Sequence, residues 1–304
     1  MSTPASIRAF FKSPWWYEAF FPALGRDFSA LAINLDTVKI LPYVLSSVKL
    51  GARRTSMESR VSIEGDKANG GTSKGQKSPF FDFKKQVVET AQKLTEKGYL
   101  MATGGNLSVR VPNRNALCVT PSNYDYMKMV PDDICVLDLD LKVLEGDRQP
   151  SVEAALHAGV YRARRDVNAV VHTHQVFASA LAVLGLPIPA LFDEQARFLG
   201  RSVQIIPYGP SGTGFLTKRV VKAIRSNDNA YIMKNHGVLC FGHYLERAAH
   251  NVEILEKCAH AYLLALSTDR KVNKIPLFVR EIAFAKLRSD QKQSERGEIS
   301  TRGE

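Results

Sequence analysis

Two histidines, His172 and His174, lie two residues apart at the end of the apolar run NAVVHTHQ, residues 168–175. The whole chain contains only seven histidines, so this close spacing indicates a chemical role for the pair. Side chains at i and i+2 of a β-strand point to the same face, and the two imidazoles would therefore meet at one point. Neutral imidazoles bind Zn²⁺, Mn²⁺, Fe²⁺ and Co²⁺, so the pattern predicts a metal site.

Such a site needs at least a third donor. His236, in IMKNHGV, ends another apolar run, and Glu153 opens the segment SVEAALHAGVYRAR just before the first two histidines. We expect His172, His174 and His236 to bind the metal, with Glu153 as a further ligand and as acid/base. Three histidine ligands leave a position for substrate, which is typical of a catalytic metal.

Two alternatives accompany this interpretation. The histidines could be ordinary core or surface residues, with Glu153 only favouring the positive end of its helix. His157, one helical turn after Glu153, is a rival ligand. We expect it to contact a metal ligand rather than the metal itself. If the site forms, burial is expected to raise the pKa of Glu153 into a range useful for proton transfer.

Small polar residues suggest an anion site beside these groups. TGGNLSV and VTPSNYDY place backbone N–H groups at strand ends, and QPSVE starts a helix whose dipole favours negative charge. The candidates for a phosphate or carboxylate are Gly105, Asn106, Ser122 and Ser151. Each is also explained by turn chemistry alone.

The elements that must position these residues alternate along the chain from Phe80 onward. FDFKKQVVETAQKLTEKGY has helical spacing, GNLSVRVP and ALCVTP read as strands, and ICVLDLDLKVLEG suggests two short strands. A helix is expected over SVEAALHAGVYRAR, a strand over NAVVHTH and a strand over AYIMKNHG. The pattern predicts one continuous α/β domain over residues 80–284.

Composition divides the rest of the chain. Residues 1–50 are rich in aromatic side chains such as Trp15 and Trp16, and residues 51–79 are rich in Gly, Ser and Lys. We expect a helical N-terminal extension, a flexible linker, and a disordered polar tail over residues 285–304. The extension would pack on the main domain or a partner subunit, or rest on a membrane surface.

Charge and cysteine content limit the function classes. The net charge of +11 is spread along the chain, with 11 Lys+Arg against 6 Asp+Glu before residue 80. We therefore expect small anionic substrates rather than nucleic acid. The four cysteines lie far apart without a CxxC pair, which indicates reduced thiols in a cytoplasmic protein, and no apolar run is long enough to suggest a spanning helix.

From about Phe80 to Leu266, the sequence resembles the class II aldolase/adducin family. The motifs that carry the resemblance are GGNLSVR, VTPS, PSVEAALHAGVYRARRDVNAVVHTH, GLPIPAL, IIPYGPSGT and KNHGV. It implies a three-layer α/β/α fold around a mainly antiparallel sheet, a homotetramer with active sites between subunits, and a divalent metal, Zn²⁺ first, on His172, His174 and His236. It also implies phosphate binding at the four anion candidates.

Three departures from the family pattern limit the transfer of function. Val152 replaces a hydroxyl of the phosphate motif P-S-S-E, Asn123 replaces a glycine, and the tyrosine acids of the aldolases are not found. Glu194 instead resembles the acid/base of family members that dehydrate or epimerise pentulose phosphates, although it could equally be a surface helix residue.

These features lead us to expect a metal-dependent lyase that cleaves a hydroxy-carbonyl substrate through a stabilised enediolate. A decarboxylase, dehydratase or epimerase of the family is the second expectation. A non-catalytic adducin-like interaction module is the third, and its members lack the metal ligands that this sequence has.

Overall fold

The computed structural model describes residues 78–102, 104–268 and 270–298. The expected N-terminal extension and all of the linker except Ser78 and Pro79 lie outside the described residues. Helix α1 (Phe81–Glu96) starts directly after Phe80. The domain boundaries expected from the sequence stay a prediction.

Eight strands form one sheet in the described part of the chain. They are β1 (Asn106–Val111), β2 (Ala116–Val119), β3 (Cys135–Asp138), β4 (Val143–Glu145), β5 (Ala169–Thr173), β6 (Gln204–Ile206), β7 (Ala230–Met233) and β8 (Gly237–Gly242). Their spatial order is β4-β3-β2-β1-β5-β8-β7-β6, and every neighbouring pair is antiparallel except β6 with β7. The expected mainly antiparallel sheet is therefore confirmed.

Helices cover both faces of this sheet. After α1 they are α2 (Ala154–Ala163), α3 (Val176–Leu184), α4 (Asp193–Phe198), α5 (Gly214–Ala223), α6 (Leu245–Leu266) and α7 (Leu277–Glu295). One apolar cluster joins α1, α3 and α6 to one face of the sheet, and a second joins α2 and α5 to the other. Because the central strands are buried on both faces, the fold is the expected three-layer α/β/α arrangement.

The C-terminal part differs from expectation. Residues 285–295, which we expected to be disordered, belong to α7, and its residues Leu287, Gln291 and Ser294 are buried. The Ser294 hydroxyl donates to the Asp166 carbonyl at 2.9 Å. The polar composition of this segment suggested disorder. The segment is nevertheless helical, and the three buried residues on one face of the helix pack on the domain. Within the described ranges, no helix is long and apolar enough to cross a membrane.

Candidate metal centre

Adjacent strands position the three histidines. His172 lies in β5 and His174 just beyond its end, while His236 lies in the turn between β7 and β8. Since β5 pairs with β8 in the register Thr173 to Val238, the end of β5 lies beside the β7–β8 turn. His236 therefore reaches the same point as the two histidines of β5.

Close packing at this point requires glycine. A Cβ atom on Gly237 would lie 2.3 Å from Cδ2 of His174 and 2.6 Å from the carbonyl oxygen of Thr173. A Cβ on Gly105, whose φ is +84°, would lie 2.6 Å from the carbonyl oxygen of His172. Only glycine lets the backbone approach the imidazoles this closely.

The three imidazoles form a compact group of potential ligands. One nitrogen from each of His172, His174 and His236 lies within 4.8 Å of the others. Nε2 of His174 is 2.9 Å from Nε2 of His172, and the ring centroids are separated by 4.6 to 5.5 Å. The structure thus brings together the three histidines that the sequence singled out.

Glu153, at the start of α2, adds a carboxylate to the three imidazoles. It precedes the first residue of α2, is only 4% exposed, and its two oxygens face different histidines. Oε2 lies 3.2 Å from Nε2 of His172, and Oε1 lies 3.3 Å from Nε2 of His236. Three imidazoles and one carboxylate therefore converge on one point, where His172 and Glu153 are buried and His174 and His236 are half-buried.

The protonation state of His172 indicates that this group of side chains is suited to bind a cation. Its Nδ1 lies 2.8 Å from the Val238 carbonyl, which can only accept, so the proton is on Nδ1 and the neutral ring directs its Nε2 lone pair at the cluster. Burial lowers the pKa of His172 and of His174 below the ordinary value of a histidine side chain. Nitrogen lone pairs and a carboxylate that face one another repel without a cation between them, and this donor set suits a divalent transition metal.

The charge of Glu153 differs from expectation. We expected burial to raise its pKa, and burial does act in that direction. Attraction to His172 and His236 in their protonated forms, together with hydrogen bonds from Nδ2 of Asn106 and Oγ of Ser211, both at 2.9 Å, outweighs it and lowers the pKa. Glu153 is therefore an ionised carboxylate at neutral pH, suited to accept a proton.

The predicted anion candidates lie in different surroundings. Asn106 contacts Glu153, and the Ser151 hydroxyl accepts from the Glu153 N–H at 3.3 Å. The carbonyl of Gly105 accepts from the Tyr126 hydroxyl at 2.6 Å. Three of the four candidates thus adjoin the histidine cluster or Glu153.

Ser122 lies beside Ser151, because an isolated bridge joins Pro121 to Pro150. The Ser122 N–H donates to the Gln149 carbonyl at 2.8 Å. Phosphate binding at these positions stays a prediction.

Glu194 is placed elsewhere. It lies in α4, and its carboxylate pairs with the ammonium group of Lys257 on α6, both side chains being about half exposed, 45% and 55%. Its described contacts do not include the histidine cluster, so the acid/base role considered for Glu194 finds no support in the geometry of one chain.

Sequence reasoning missed Ser211, which lies in the loop between β6 and α5. Ser211 lies within the motif IIPYGPSGT, which contributed to the family resemblance, but Ser and Gly at a strand end are also explained by ordinary turn chemistry and singled out no residue. His157, the rival ligand considered from the sequence, has a different partner: its Nδ1 lies 2.6 Å from the hydroxyl of Ser108, which in turn contacts the Tyr161 hydroxyl at 2.7 Å.

The fold and the site define a class of protein: an α/β/α domain whose central sheet presents three histidines and a carboxylate at adjacent strand ends. Comparison with known proteins makes the class specific. Residues 85–263 match the family model described as the Class II Aldolase and Adducin N-terminal domain. The chain belongs to this family, as its motifs indicated.

Similar proteins of known name are sugar-phosphate aldolases. The 5-deoxy-D-ribulose 1-phosphate aldolase of Bacillus thuringiensis is 32% identical over 179 residues, which cover 59% of this chain and 83% of that protein. The L-fuculose phosphate aldolase of Methanocaldococcus jannaschii is 35% identical over 183 residues, 60% of this chain and 97% of that protein.

Solved structures agree with these matches. An L-fuculose 1-phosphate aldolase structure matches with a TM-score of 0.65 at 32% identity, covering 68% of this chain and 96% of its own. A protein from Escherichia coli, described as an aldolase, epimerase or decarboxylase, matches with a TM-score of 0.60 at 25% identity, covering 67% and 98%.

Proposed function

We propose that this protein is a divalent-metal-dependent lyase that cleaves a phosphorylated hydroxy-ketone by a retro-aldol reaction. The observation that carries the proposal is the convergence of His172, His174, His236 and the ionised Glu153 on one point. The relatives named as aldolases of 5-deoxy-D-ribulose 1-phosphate and of L-fuculose phosphate support the same reaction.

In this reaction the three histidines would hold the metal, whose chemistry is that of a Lewis acid for the carbonyl and neighbouring hydroxyl oxygens of the substrate. Glu153 takes the proton from the substrate hydroxyl next to the breaking carbon–carbon bond and returns a proton to the carbon released. Its ionised state suits it for the first step, and its burial reduces its exposure to bulk water.

Glu153 is oriented by the chain itself. The amide of Asn106 holds one carboxylate oxygen and the hydroxyl of Ser211 holds the other, each at 2.9 Å. A base held in this way is already oriented for proton transfer before the substrate reacts.

The phosphate of the substrate is proposed to bind near Ser122 and Ser151, where the chain approaches the start of α2. The positive end of that helix favours an anion. Val152 carries no hydroxyl and is 65% exposed, so fewer side-chain donors are available than in the P-S-S-E pattern. A weaker phosphate contact than in that pattern is the consequence.

The metal is proposed to be Zn²⁺, with Mn²⁺, Fe²⁺ or Co²⁺ as alternatives, because three nitrogens and one carboxylate oxygen suit each of them. All four cysteines are free and buried, which supports a reducing compartment and hence a cytoplasmic location. A homotetramer is proposed from the family resemblance, and the substrate partner is a small anion rather than nucleic acid.

A second candidate is epimerisation, dehydration or decarboxylation of a related substrate at the same site. It is favoured by the likeness to the Escherichia coli protein described with three activities and by the lack of the tyrosine acids. In all of these reactions negative charge develops on the carbonyl oxygen, and a metal held by the three histidines would stabilise that charge; the reactions differ in the bond that breaks. The adducin-like module is disfavoured because the full set of ligands is present.

Purified protein should first be analysed for metal and then incubated with L-fuculose 1-phosphate, 5-deoxyribulose 1-phosphate and their unphosphorylated forms. We expect stoichiometric divalent metal and release of a phosphorylated three-carbon ketone from at least one phosphate ester, lost on chelation and restored by metal. Protein without stoichiometric metal would favour the interaction module. Metal-dependent formation of an epimer, a dehydrated product or CO₂ would favour the second candidate.

A further inference from the structure

Ser211 contacts Glu153 from a loop that sequence motifs did not connect with the metal centre. We propose that Ser211 is a positioning residue that, together with Asn106, fixes how the Glu153 carboxylate is turned at the metal centre. The inference rests on the proposed function, because it assigns a partner to the proton-transferring group of that function.

The contacts of the carboxylate are symmetrical. Oε1 accepts from the Ser211 hydroxyl at 2.9 Å and faces Nε2 of His236 at 3.3 Å. Oε2 accepts from the Asn106 amide at 2.9 Å and faces Nε2 of His172 at 3.2 Å. Each oxygen therefore has one neutral hydrogen-bond donor and one imidazole, and removal of either donor frees one end of the carboxylate.

The two donors are held differently. Asn106 is buried in β1 and is paired with His172 of β5, so its position is fixed by the sheet that also carries the histidines. Ser211 is exposed and belongs to the loop 207–213 between β6 and α5. Of the two, Ser211 is the one that connects the buried carboxylate with the surface of the described chain.

The loop is nonetheless well placed by its own contacts. Thr213 caps α5, its hydroxyl accepting from the Leu216 N–H at 3.4 Å and donating to the Pro210 carbonyl at 2.7 Å. A Cβ on Gly212, whose φ is +71°, would lie 3.6 Å from the Cβ and carbonyl oxygen of Val152. These contacts place Ser211 directly over the first residues leading into α2.

The consequence is a division of roles around Glu153. The amide of Asn106 holds Oε2 beside His172. The hydroxyl of Ser211 holds Oε1 beside His236, and without it this oxygen is free to turn. Without the Ser211 hydroxyl, the carboxylate loses the orientation from which it takes the substrate proton, although all three histidines keep their places. Proton transfer should then slow while substrate binding is retained.

The test compares Ser211→Thr with Ser211→Val, which have nearly the same shape and differ in the hydroxyl. Ser267→Ala is the matched control, because Ser267 is exposed and its hydroxyl bonds to the nearby Leu264 carbonyl, far from the histidine cluster in sequence. Each protein is loaded with Co²⁺ for its visible absorption spectrum and with its activating metal for kinetics. Ser211→Ala removes the hydroxyl without added bulk and serves if the valine variant is unstable.

We expect Ser211→Val to lose roughly tenfold to a hundredfold in kcat, the usual effect of removing an outer hydrogen-bond partner. KM should stay within about threefold, because the change affects a transition-state interaction rather than ground-state binding. The Co²⁺ spectrum should shift in Ser211→Val, while Ser211→Thr and Ser267→Ala match wild type in both readouts.

Three results would overturn the inference. An unchanged kcat with an unchanged Co²⁺ spectrum in Ser211→Val would show that the hydroxyl does not position Glu153. Equal losses in the threonine and valine variants would assign the effect to shape rather than hydrogen bonding. Wild-type protein that binds no Co²⁺ would overturn the proposed function itself, and the spectrum measured without substrate separates that failure from the other two.

Discussion

Nε2 of His172 lies 3.2 Å from Oε2 of Glu153, although the proton of the imidazole is held on the opposite nitrogen by the Val238 carbonyl. A lone pair and a carboxylate oxygen thus face each other in a buried place. With His174 and His236 adding two further nitrogens, a divalent cation is the group that this arrangement best accommodates.

Substitution of His172 or His236 by alanine should abolish stoichiometric metal binding, because two imidazoles and a carboxylate do not retain the affinity of the full set. Metal content is measured by mass spectrometry after gel filtration. His250→Ala is the control, since His250 is an exposed histidine of α6. Full metal occupancy in either His172→Ala or His236→Ala would contradict the site.

Glu153→Gln should keep part of the metal while turnover falls by roughly two to four orders of magnitude, the range of general acid–base catalysis. The amide can neither take up the substrate proton nor carry the charge. Turnover is measured at saturating substrate, with Glu89→Gln as a control because Glu89 is exposed and forms a surface pair with Lys85. Near-normal turnover would move the acid/base role to Glu194.

The stability of the metal-free protein should depend on His157. Burial lowers the pKa of His157 to about 3, so between about pH 6.5 and pH 3 the unfolded chain takes up a proton there and the folded chain does not. The free energy of unfolding therefore falls as the pH decreases through this window, by about 1.4 kcal/mol per pH unit for this one group.

His157→Asn should remove the contribution of His157 to the pH dependence of the free energy of unfolding, whatever its effect on stability at neutral pH. Urea unfolding at several pH values between 7.5 and 5 gives the slope, and His250→Asn at an exposed position should leave it unchanged. A slope in His157→Asn equal to that of wild type would show that His157 does not titrate as its burial indicates.

Helix α7 should contribute to the stability of the domain, contrary to the expected disorder. Leu287→Ala removes a buried side chain, 3% exposed, and should lower the free energy of unfolding by about 2 to 4 kcal/mol. Leu277→Ala, at 65% exposure on the same helix, should change it by less than about 0.5 kcal/mol. Equal effects in urea unfolding would show that α7 does not pack on the domain in solution.

Deletion of residues 1–77 should leave a folded, metal-binding and active protein, because every candidate ligand and anion-binding residue follows Gly104. The deletion stops before Ser78, whose hydroxyl donates to Glu145 at 2.6 Å and accepts from the Phe80 N–H at 3.1 Å. Activity and oligomeric mass are compared with the full chain. Aggregation, or inactive dissociated subunits, would show that the N-terminal segment belongs to the core assembly.

The sequence by itself determined the features that depend on local chain geometry. The two-residue period of a strand places His172 and His174 on one face, and helical spacing locates α1 and α2 within a few residues. Alternating helices and strands, together with the motifs, identified the α/β/α fold. These inferences needed no knowledge of which distant segments meet.

Only the tertiary structure decided the relations between distant segments. The antiparallel register of β5 with β8 brings His236 to the other histidines, and the packing of α2 brings Glu153. Local polarity misjudged α7, because its buried face exists only against the domain. The charge state of Glu153 was misjudged for the same reason: the effect of burial follows from the residue alone, whereas the hydrogen bonds from Asn106 and Ser211 that oppose it come from segments 47 and 58 residues away.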